Sequence, residues 1–271
     1  GIVTMKKIAI IHEWLTSHAG SEKVVEQILQ IYPHADLFSL VDFLPASLRH
    51  IIQHKPVTTS FIQKLPFAQI HFRSYLPLMP LAVEQFDLSA YDIIISSHHA
   101  VAKGVITRPD QLHISYVHTP LWDVASANRV DYYIANSRYI ARRIHKTYRR
   151  SAEVIYPPVD LQRFQTNLAT PTTPDKNNLD SQQSSRHQAG GHSRDRFYLT
   201  VSRFVPYKRV DLTVAAFNEL GLPLVIIGDG KSASALKAQA KSNIQFLGKQ
   251  PDSVVEDHMR RARVYIFQPE E

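Results

Sequence analysis

Residues 196–230 read RFYLTVSRFVPYKRVDLTVAAFNELGLPLVIIGDG, and this stretch holds two apolar runs separated by a segment of helical periodicity. The first run, RFYLTVSR (196–203), predicts a strand. KRVDLTVAAFNEL (208–220) predicts a helix, and PLVIIGDG (223–230) predicts a second strand that ends in a glycine turn. A strand–helix–strand unit joins parallel strands, and continuous apolar strands are typical of a parallel sheet covered on both faces.

The same alternation of apolar runs and helical segments extends in both directions. On the N-terminal side the helix GSEKVVEQILQIY (20–32) has its apolar residues close to one face. Before residues 196–230, further strands are predicted at 7–13, 35–41, 91–97, 112–118, 131–137 and 152–160. After them, strands are predicted at 244–249 and 264–268, and the one at 264–268 is expected to be short and buried. The fold class is therefore α/β, with two tandem Rossmann-like domains.

A polar segment separates the two α/β regions. Residues 166–196 hold only two leucines and no larger apolar side chain, so they cannot bury enough surface to fold. We predict an N-terminal domain at 1–165, a flexible polar linker at 166–195 and a C-terminal domain at 196–271. The second domain has only four predicted strands, few for a doubly wound sheet, which indicates that it is incomplete.

Composition limits the class of protein. The 271 residues include no cysteine, which excludes disulfides and thiolate metal sites. No apolar run approaches a membrane span, and the short run after two lysines near the N-terminus predicts a first strand rather than a signal peptide, so we expect a cytoplasmic protein. The formal net charge is +7, and residues 137–150 hold six Lys or Arg and no acid. This helix either has a solvated face or contacts an anionic membrane surface or a phosphorylated ligand, whereas no nucleic-acid motif is present.

Two cations follow the first strand of the C-terminal domain. Arg203 comes directly after that strand, and Lys208 lies five residues later near the predicted helix start. Ligands of parallel sheets bind at the C-terminal ends of strands, where a guanidinium and an ammonium would hold a diphosphate. The alternative is two unrelated surface cations. In the N-terminal domain, Gly20 lies between a strand and a helix, where it permits either an anion contact or an ordinary capped loop, with Ser21 as the N-cap.

Three histidines lie at the C-terminal ends of predicted strands. His98 and His99 lie at the end of one strand and His118 at the end of the next, which suits a catalytic or substrate-orienting role for one of them, or plain loop or core histidines. No carboxylate or histidine partners at metal-ligand spacing can be assigned, so no metal site is predicted. In VIIGDG (225–230), Asp229 either contacts a ligand or belongs to a common strand-ending turn.

Several segments in a fixed order carry a resemblance to a known family. They are HEWLTSHAGSEKV, YVHTP, DYYIANSRYIARRI, YPPVDLQRF, SRFVPYKRVDL, VIIGDG and FLGKQPD, and they cover nearly the whole chain outside the linker. Together they resemble the retaining glycosyltransferases of family four, which have the GT-B fold and include bacterial mannosyltransferases of polysaccharide assembly.

The resemblance implies transfer of a hexose, most specifically mannose from GDP-mannose, to a glycan or lipid-linked acceptor with retention of configuration and without a metal or other cofactor. It implies that Arg203 and Lys208 hold the donor diphosphate. Gly20 would let the first domain approach the phosphates, and His118, with His99 as the competitor, would stand on the sugar side. The donor would bind mainly to the second domain, the acceptor to the first.

The family also has two glutamates separated by seven residues, and VYIFQPEE matches the approach to the first. We align the sugar-contacting glutamate with Glu271, and Glu270 is the alternative one position earlier. The ribose-binding glutamate would lie beyond Glu271, so we expect a C-terminally truncated chain. Only one residue separates Pro120 from Trp122, where relatives have a longer segment, which predicts an internal deletion. These departures define the alternative hypothesis, an inactive glycosyltransferase fragment with at most weak nucleotide binding.

Overall fold

The computed structural model describes residues 5–120, 124–159 and 197–267. The chain divides into two compact units, residues 1–159 and 160–271. Each unit contains its own parallel sheet, which confirms the prediction of two tandem α/β units. The predicted domain boundaries near residues 165 and 195 lie outside the described residues and stay predictions.

The first unit is built on seven strands. They are β1 (Ile8–Leu15), β2 (Asp36–Asp42), β3 (Val57–Thr59), β4 (Ile93–His98), β5 (Leu112–Val117), β6 (Tyr132–Ala135) and β7 (Ala152–Val154). All pair in parallel, in the order β3-β2-β1-β4-β5-β6-β7. The strand order reverses between β1 and β4, and ligands of open α/β sheets bind at such a point, beyond the C-terminal strand ends. The sequence pattern does not predict β3, and β7 is shorter than expected.

Helices cover both faces of this sheet. They are α1 (Gly20–Ile31), α2 (Ala68–His71), α3 (Met79–Glu84) and α4 (Arg138–Tyr148). Helix α1 buries Val25 and Leu29 against Ile10 on one face, as its apolar periodicity requires. On the other face, α3 and the turns before it bury Phe72 and Met79. Helix α4 begins where the Ser137 hydroxyl accepts the Ile140 N–H at 3.2 Å.

In the second unit, strands and helices alternate along the chain. Its elements are β8 (Tyr198–Val201), α5 (Val210–Leu220), β9 (Leu224–Ile227), α6 (Ala233–Gln239), β10 (Ile244–Gly248), α7 (Asp252–Arg261) and β11 (Val264–Tyr265). The strands are parallel, in the order β10-β9-β8-β11. Helices α5 and α6 pack on one face. The prediction that residues 264–268 form a buried strand is wrong for the described part, because β11 is a two-residue edge strand whose Val264 and Tyr265 are 45% and 43% exposed.

None of the described helices combines the length and the apolar character needed to cross a bilayer.

Candidate functional site

A buried polar network lies at the C-terminal ends of β1, β4 and β5. The Ser97 hydroxyl lies 3.1 Å from His12 Nδ1 and 2.8 Å from His118 Nε2, so one hydroxyl joins two histidines. His12 Nε2 lies 3.3 Å from Glu22 Oε1 at the start of α1. Because parallel strands end at the same edge, three separate strands and a helix contribute to one cluster.

Glu13, the residue after His12 in β1, points to the opposite face and holds the loop that follows β4. Its Oε1 accepts the backbone N–H groups of four successive residues: His99 at 3.0 Å, Ala100, Val101 at 2.6 Å and Ala102 at 3.1 Å. The side chain is fully buried. Charge-assisted hydrogen bonds of this kind fix a loop strongly, so Glu13 sets the position of His99.

His99 forms the middle of an aromatic stack. Its ring lies 6.2 Å from Trp14 with 11° between the planes, and 4.5 Å from His118 with 16° between the planes. The stack borders a cavity of about 290 Å³ lined by Trp14, Arg73, Leu76, Met79, His99, Ala100 and Thr119. The structure therefore stacks the two competing histidines on each other, with His99 lining the pocket and His118 next to it in the stack.

Burial keeps these histidines uncharged. Burial first, and then the charges of His99 and His12, lower the pKa of His118 to about 2. Burial likewise lowers the pKa of His99, and burial with the nearby Lys103 lowers that of His98 well below its usual value. A neutral imidazole donates or accepts a hydrogen bond but does not act as a proton donor near neutral pH, so His118 is suited to orienting a hydroxyl.

Glu22 supplies a negative charge to this cluster. Burial alone would raise the pKa of Glu22, but the hydrogen bond and charge of His12, followed by further hydrogen bonds including that from Ser21, lower it to about 2. Its Oε2 also accepts the Ala19 backbone N–H at 3.0 Å. The N-cap of α1 is Ala19, so Ser21 is not the N-cap, and Glu22 satisfies the free N–H.

Gly20, for which the sequence predicts either an anion contact or an ordinary capped loop, is the first residue of α1. A Cβ added there would meet no atom within 4 Å, so the helix N-terminus is open. The backbone N–H groups at such a terminus favour an anion.

In the second unit, two glycines lie against the chain that follows β8. A Cβ at Gly228 would lie 1.8 Å from the Ser202 carbonyl oxygen, and one at Gly230 would lie 2.5 Å from that of Phe204. Their φ angles are +141° and +157°, a region that side chains disfavour. The Phe204 N–H donates to the Asp229 carbonyl at 2.9 Å, which fixes the loop before Lys208.

Arg203 and Lys208 meet at one tyrosine. Arg203 Nη2 donates to the Tyr207 hydroxyl at 3.0 Å, and Lys208 Nζ lies 5.5 Å from the centre of the Tyr207 ring. Lys208 also lies 5.3 Å from the Phe267 ring, just after β11. Within the described part of the chain, neither cation forms an ion pair. The helix starts at Val210, after a 3₁₀ turn, so both cations lie in the loop between β8 and α5. The sequence does not predict a role for Tyr207, because no pattern distinguishes a tyrosine in a loop.

Some predicted site residues cannot be placed. Glu270 and Glu271 lie outside the described residues, as do residues 121–123, where the internal deletion is predicted. Among the residues that the structure describes, no group of three or more His, Asp or Glu side chains is arranged to hold a metal ion.

Two family models match the chain, in the order of its units. Residues 15–163 match the family described as Glycosyltransferase Family 4, and residues 181–270 match Glycosyl transferases group 1. With two parallel α/β units, these matches define a glycosyltransferase of GT-B fold. The chain belongs to glycosyltransferase family 4, whose model covers more than half of its length.

Solved structures share this fold at low sequence identity. HepE (Alr3699) of Anabaena, in complex with UDP and glucose, is 14% identical with a TM-score of 0.63, and the match covers 97% of this chain and 74% of that one. A glycosyltransferase from Rickettsia africae is 13% identical with a TM-score of 0.60, covering 98% and 74%. AviGT4, involved in avilamycin A biosynthesis, is 14% identical with a TM-score of 0.52, covering 98% and 70%. No curated protein sequence matches the chain.

Proposed function

We propose that this glycosyltransferase transfers a hexose from a nucleotide sugar to a glycan or lipid-linked acceptor, with retention of configuration. The observation that carries the proposal is the convergence of Arg203 and Lys208 on Tyr207 at the C-terminal end of β8. Two cations without ion-pair partners in the described chain match the charge of a diphosphate. As the bond from sugar C1 to the diphosphate breaks, a bond forms from C1 to the acceptor oxygen, and the hydroxyl proton passes to the departing diphosphate. The two cations stabilise the charge that develops on this leaving group.

The glycine loop supports the same assignment. Gly228 and Gly230 let the 228–230 backbone pack directly on residues 202–204, which carry Arg203. That packing fixes the backbone that carries Arg203 before any ligand binds. A cation that is already held in position has a smaller free-energy cost of ordering when it binds.

The first unit supplies the acceptor side in this proposal. The neutral His118, with His99 as the competing residue, would hydrogen-bond a sugar hydroxyl, and the N–H groups of the open Gly20 terminus would donate to a phosphate oxygen. Glu271, or Glu270 one position earlier, would contact the transferred sugar. The roles of His118 and His99 rest on the family resemblance and on their positions just after β5 and β4. The role of Gly20 rests on the resemblance and on its position at the start of α1, and those of Glu271 and Glu270 rest on the resemblance alone.

The donor is a nucleoside diphosphate hexose. The sequence resemblance favours GDP-mannose, whereas HepE of Anabaena is described in complex with UDP-glucose and with UDP and glucose. Calorimetric titration of the full chain with GDP-mannose, UDP-glucose, GDP and UDP decides between them. Nuclear magnetic resonance of the product then reports the anomeric configuration.

Arg203→Ala and Lys208→Ala test the diphosphate clamp. A hydrogen bond to a charged group contributes about 1.5–3 kcal/mol, so each variant should weaken donor binding about tenfold to hundredfold. Lys237→Ala, which removes an exposed cation from α6 of the same unit, should bind as the unchanged protein does. Equal binding by Arg203→Ala and Lys237→Ala would refute the clamp. No heat with any nucleotide would favour the alternative of an inactive fragment.

We further propose a cytoplasmic protein that contacts the inner face of the membrane through α4. Three of its basic side chains, Arg138, Arg142 and Lys146, are exposed. Attraction of such a helix to an anionic surface falls as salt screens it. Binding to anionic vesicles that does not weaken with salt would contradict this role.

A further inference from the structure

Buried hydrogen bonds connect the start of α1 to the end of β5 through four side chains, which we call the Glu22 network. Glu22 Oε1 lies 3.3 Å from His12 Nε2, and His12 Nδ1 lies 3.1 Å from the Ser97 hydroxyl. That hydroxyl lies 2.8 Å from His118 Nε2. Each of the four residues is buried, so their hydrogens are placed by one another rather than by water.

The Glu22 end of the network sets its direction. Burial would raise the pKa of Glu22, but the hydrogen bond and charge of His12 lower it to about 2, so the carboxylate is ionised. Its second oxygen accepts the Ala19 backbone N–H and the Ser21 hydroxyl, each at 3.0 Å. An ionised carboxylate only accepts, so His12 Nε2 carries a hydrogen. In the neutral imidazole the other nitrogen, Nδ1, is then an acceptor.

The Ser97 hydroxyl transmits this direction to His118. A hydroxyl has one hydrogen, which Ser97 donates to His12 Nδ1, so its oxygen accepts a hydrogen bond from His118 Nε2. Burial first, and then the charges of His99 and His12, lower the pKa of His118 to about 2, so this ring is neutral and holds no second hydrogen. His118 Nδ1 is therefore a hydrogen-bond acceptor.

This nitrogen is available to a ligand and is held in place. Among the residues that the structure describes, none donates a hydrogen bond to His118 Nδ1, and the residue keeps 8% of its surface exposed. The ring stacks on His99 at 4.5 Å, and the Asn136 amide donates to the His118 carbonyl at 3.2 Å. An acceptor nitrogen in a fixed position binds a hydroxyl and disfavours phosphate or carboxylate oxygens, which also only accept.

A second histidine of the same sheet has the opposite arrangement. His113 Nδ1 lies 2.8 Å from the Arg129 carbonyl, which only accepts, so the hydrogen is on Nδ1. His113 Nε2 lies 2.9 Å from the Ser96 hydroxyl and accepts from it. Burial lowers the pKa of His113 to about 4, so this ring is neutral as well. Two adjacent serines thus hold two histidines in opposite tautomers.

We propose that the Glu22 network holds His118 in the tautomer with its hydrogen on Nε2, so that Nδ1 selects a hydroxyl of the substrate sugar. Glu22, His12 and Ser97 are positioning residues, because they act through His118 and need not touch the substrate. The choice of a sugar hydroxyl rests on the proposed function, whereas the tautomer follows from the hydrogen bonds of the first unit alone.

Nuclear magnetic resonance of the full chain without ligand tests the tautomer. Long-range proton–nitrogen spectra at pH 8 report which ring nitrogen of each histidine carries the hydrogen, and the spectra of His118→Gln and His113→Gln assign the signals. We expect the hydrogen on Nε2 of His118 and on Nδ1 of His113. A hydrogen on Nδ1 of His118, as a cationic His12 would impose, would overturn the proposal, as would an equal mixture of tautomers.

Variants of two neighbouring serines test the role of the network. Ser97→Ala removes the connecting hydroxyl and should give a mixture of His118 tautomers, whereas Ser97→Thr keeps a hydroxyl and should keep one tautomer. Glu22→Gln should also give a mixture, because an amide can donate or accept. The matched control is Ser96→Ala, which should alter the His113 signals and leave those of His118 unchanged. An unchanged His118 tautomer in Ser97→Ala would overturn the proposal.

Calorimetry tests what Nδ1 selects, by comparing GDP-mannose with GDP and UDP-glucose with UDP. In Ser97→Ala the affinity for the nucleotide sugar should fall about twofold to tenfold, as expected for one neutral hydrogen bond, while the affinity for the nucleotide stays the same. Ser96→Ala should change neither affinity. Equal losses for nucleotide sugar and nucleotide in Ser97→Ala, or no loss for either, would overturn the selection of a sugar hydroxyl.

Nucleotide sugars that lack one hydroxyl at a time identify the hydroxyl that is recognised. One of them should bind the unchanged protein about twofold to tenfold more weakly than the full sugar, and this difference should disappear in Ser97→Ala. A difference of the same size in both proteins would contradict the proposal. No binding of any nucleotide by the unchanged protein would instead contradict the donor assignment, whereas the spectra decide the tautomer independently of any ligand.

Discussion

Mild acid should unfold the first unit because it buries neutral histidines. His98, His113 and His118 are at most 8% exposed. Burial, with the charge of Lys103, lowers the pKa of His98, burial lowers that of His113 to about 4, and burial lowers that of His118 to about 2. In the neutral ring, His98 Nδ1 can accept the Lys103 backbone N–H, which lies 3.4 Å away.

The sign and size of the effect follow from proton linkage. Each folded-state pKa lies below the unfolded value of about 6.5, so the unfolded chain binds more protons below that pH. Stability is complete above pH 6.5 and is lost as the pH falls towards the folded pKa values. At pH 5 His113 and His118 each cost about 2 kcal/mol, so the two together lower the free energy of unfolding by about 4 kcal/mol relative to pH 7. His98 adds to the loss in the same direction. A domain's whole stability is about 5–15 kcal/mol.

Tryptophan fluorescence during urea unfolding measures this loss. Both tryptophans of the chain, Trp14 and Trp122, belong to the first unit. The urea midpoint should fall by about 2 M between pH 7 and pH 5, given a typical urea dependence of about 2–3 kcal/mol per M. His118→Gln removes one titrating group and should reduce the pH dependence by about a third.

The second unit provides the control. Its described residues contain one histidine, His258, and the chain has no cysteine. A dye on Lys237→Cys therefore reports this unit alone, and its transition should depend much less on pH. An unfolding midpoint of the first unit that is the same at pH 5 and pH 7 would refute the assignment of neutral buried histidines.

Three further substitutions test the geometry of the two sites. Glu13→Ala leaves three buried N–H groups and one partly buried N–H group without an acceptor. It should cost about 4 kcal/mol or more by urea unfolding, with Glu13→Gln recovering part of the loss, and a loss under about 1 kcal/mol would contradict the role of the carboxylate. Gly228→Ala places a Cβ 1.8 Å from a carbonyl oxygen and should destabilise the second unit by about 3 kcal/mol or more. Gly221→Ala, also at positive φ but in open space, should cost about 1 kcal/mol. Equal losses in the two variants would contradict the packing of Gly228. Tyr207→Phe keeps the ring but removes the hydroxyl that accepts a hydrogen bond from Arg203. Nucleotide affinity should therefore fall about twofold to tenfold with unchanged stability. Unaltered affinity would show that this hydrogen bond does not position the guanidinium.

Local pattern was sufficient to predict the two-unit α/β fold. Strands buried on both faces read as continuous apolar runs, and helix α1 shows its buried face at helical spacing, so neither needs tertiary information. The position of Arg203 directly after a strand also places it at the ligand-binding edge, because all strands of a parallel sheet end there.

Other features depend on contacts between distant parts of the chain. Glu13 bonds a loop more than eighty residues away, and nothing in its neighbours distinguishes a buried carboxylate from a surface one. The 61–83 connection forms short turns interrupted by prolines, which have neither helical nor strand periodicity. Burial of β11 was predicted wrongly because apolar composition does not tell an edge strand from a central one.

The connection between β3 and β4 can be exchanged without altering the sheet. It contributes no strand to the sheet, yet it supplies Arg73, Leu76 and Met79 to the pocket wall. A graft that keeps the inward side chains Ile62 and Phe72 could replace the outward ones from another sequence. Such a chimera would present a different pocket wall while Arg203 and the histidine stack stay untouched, so the lining of this pocket can change without a change in the sheet.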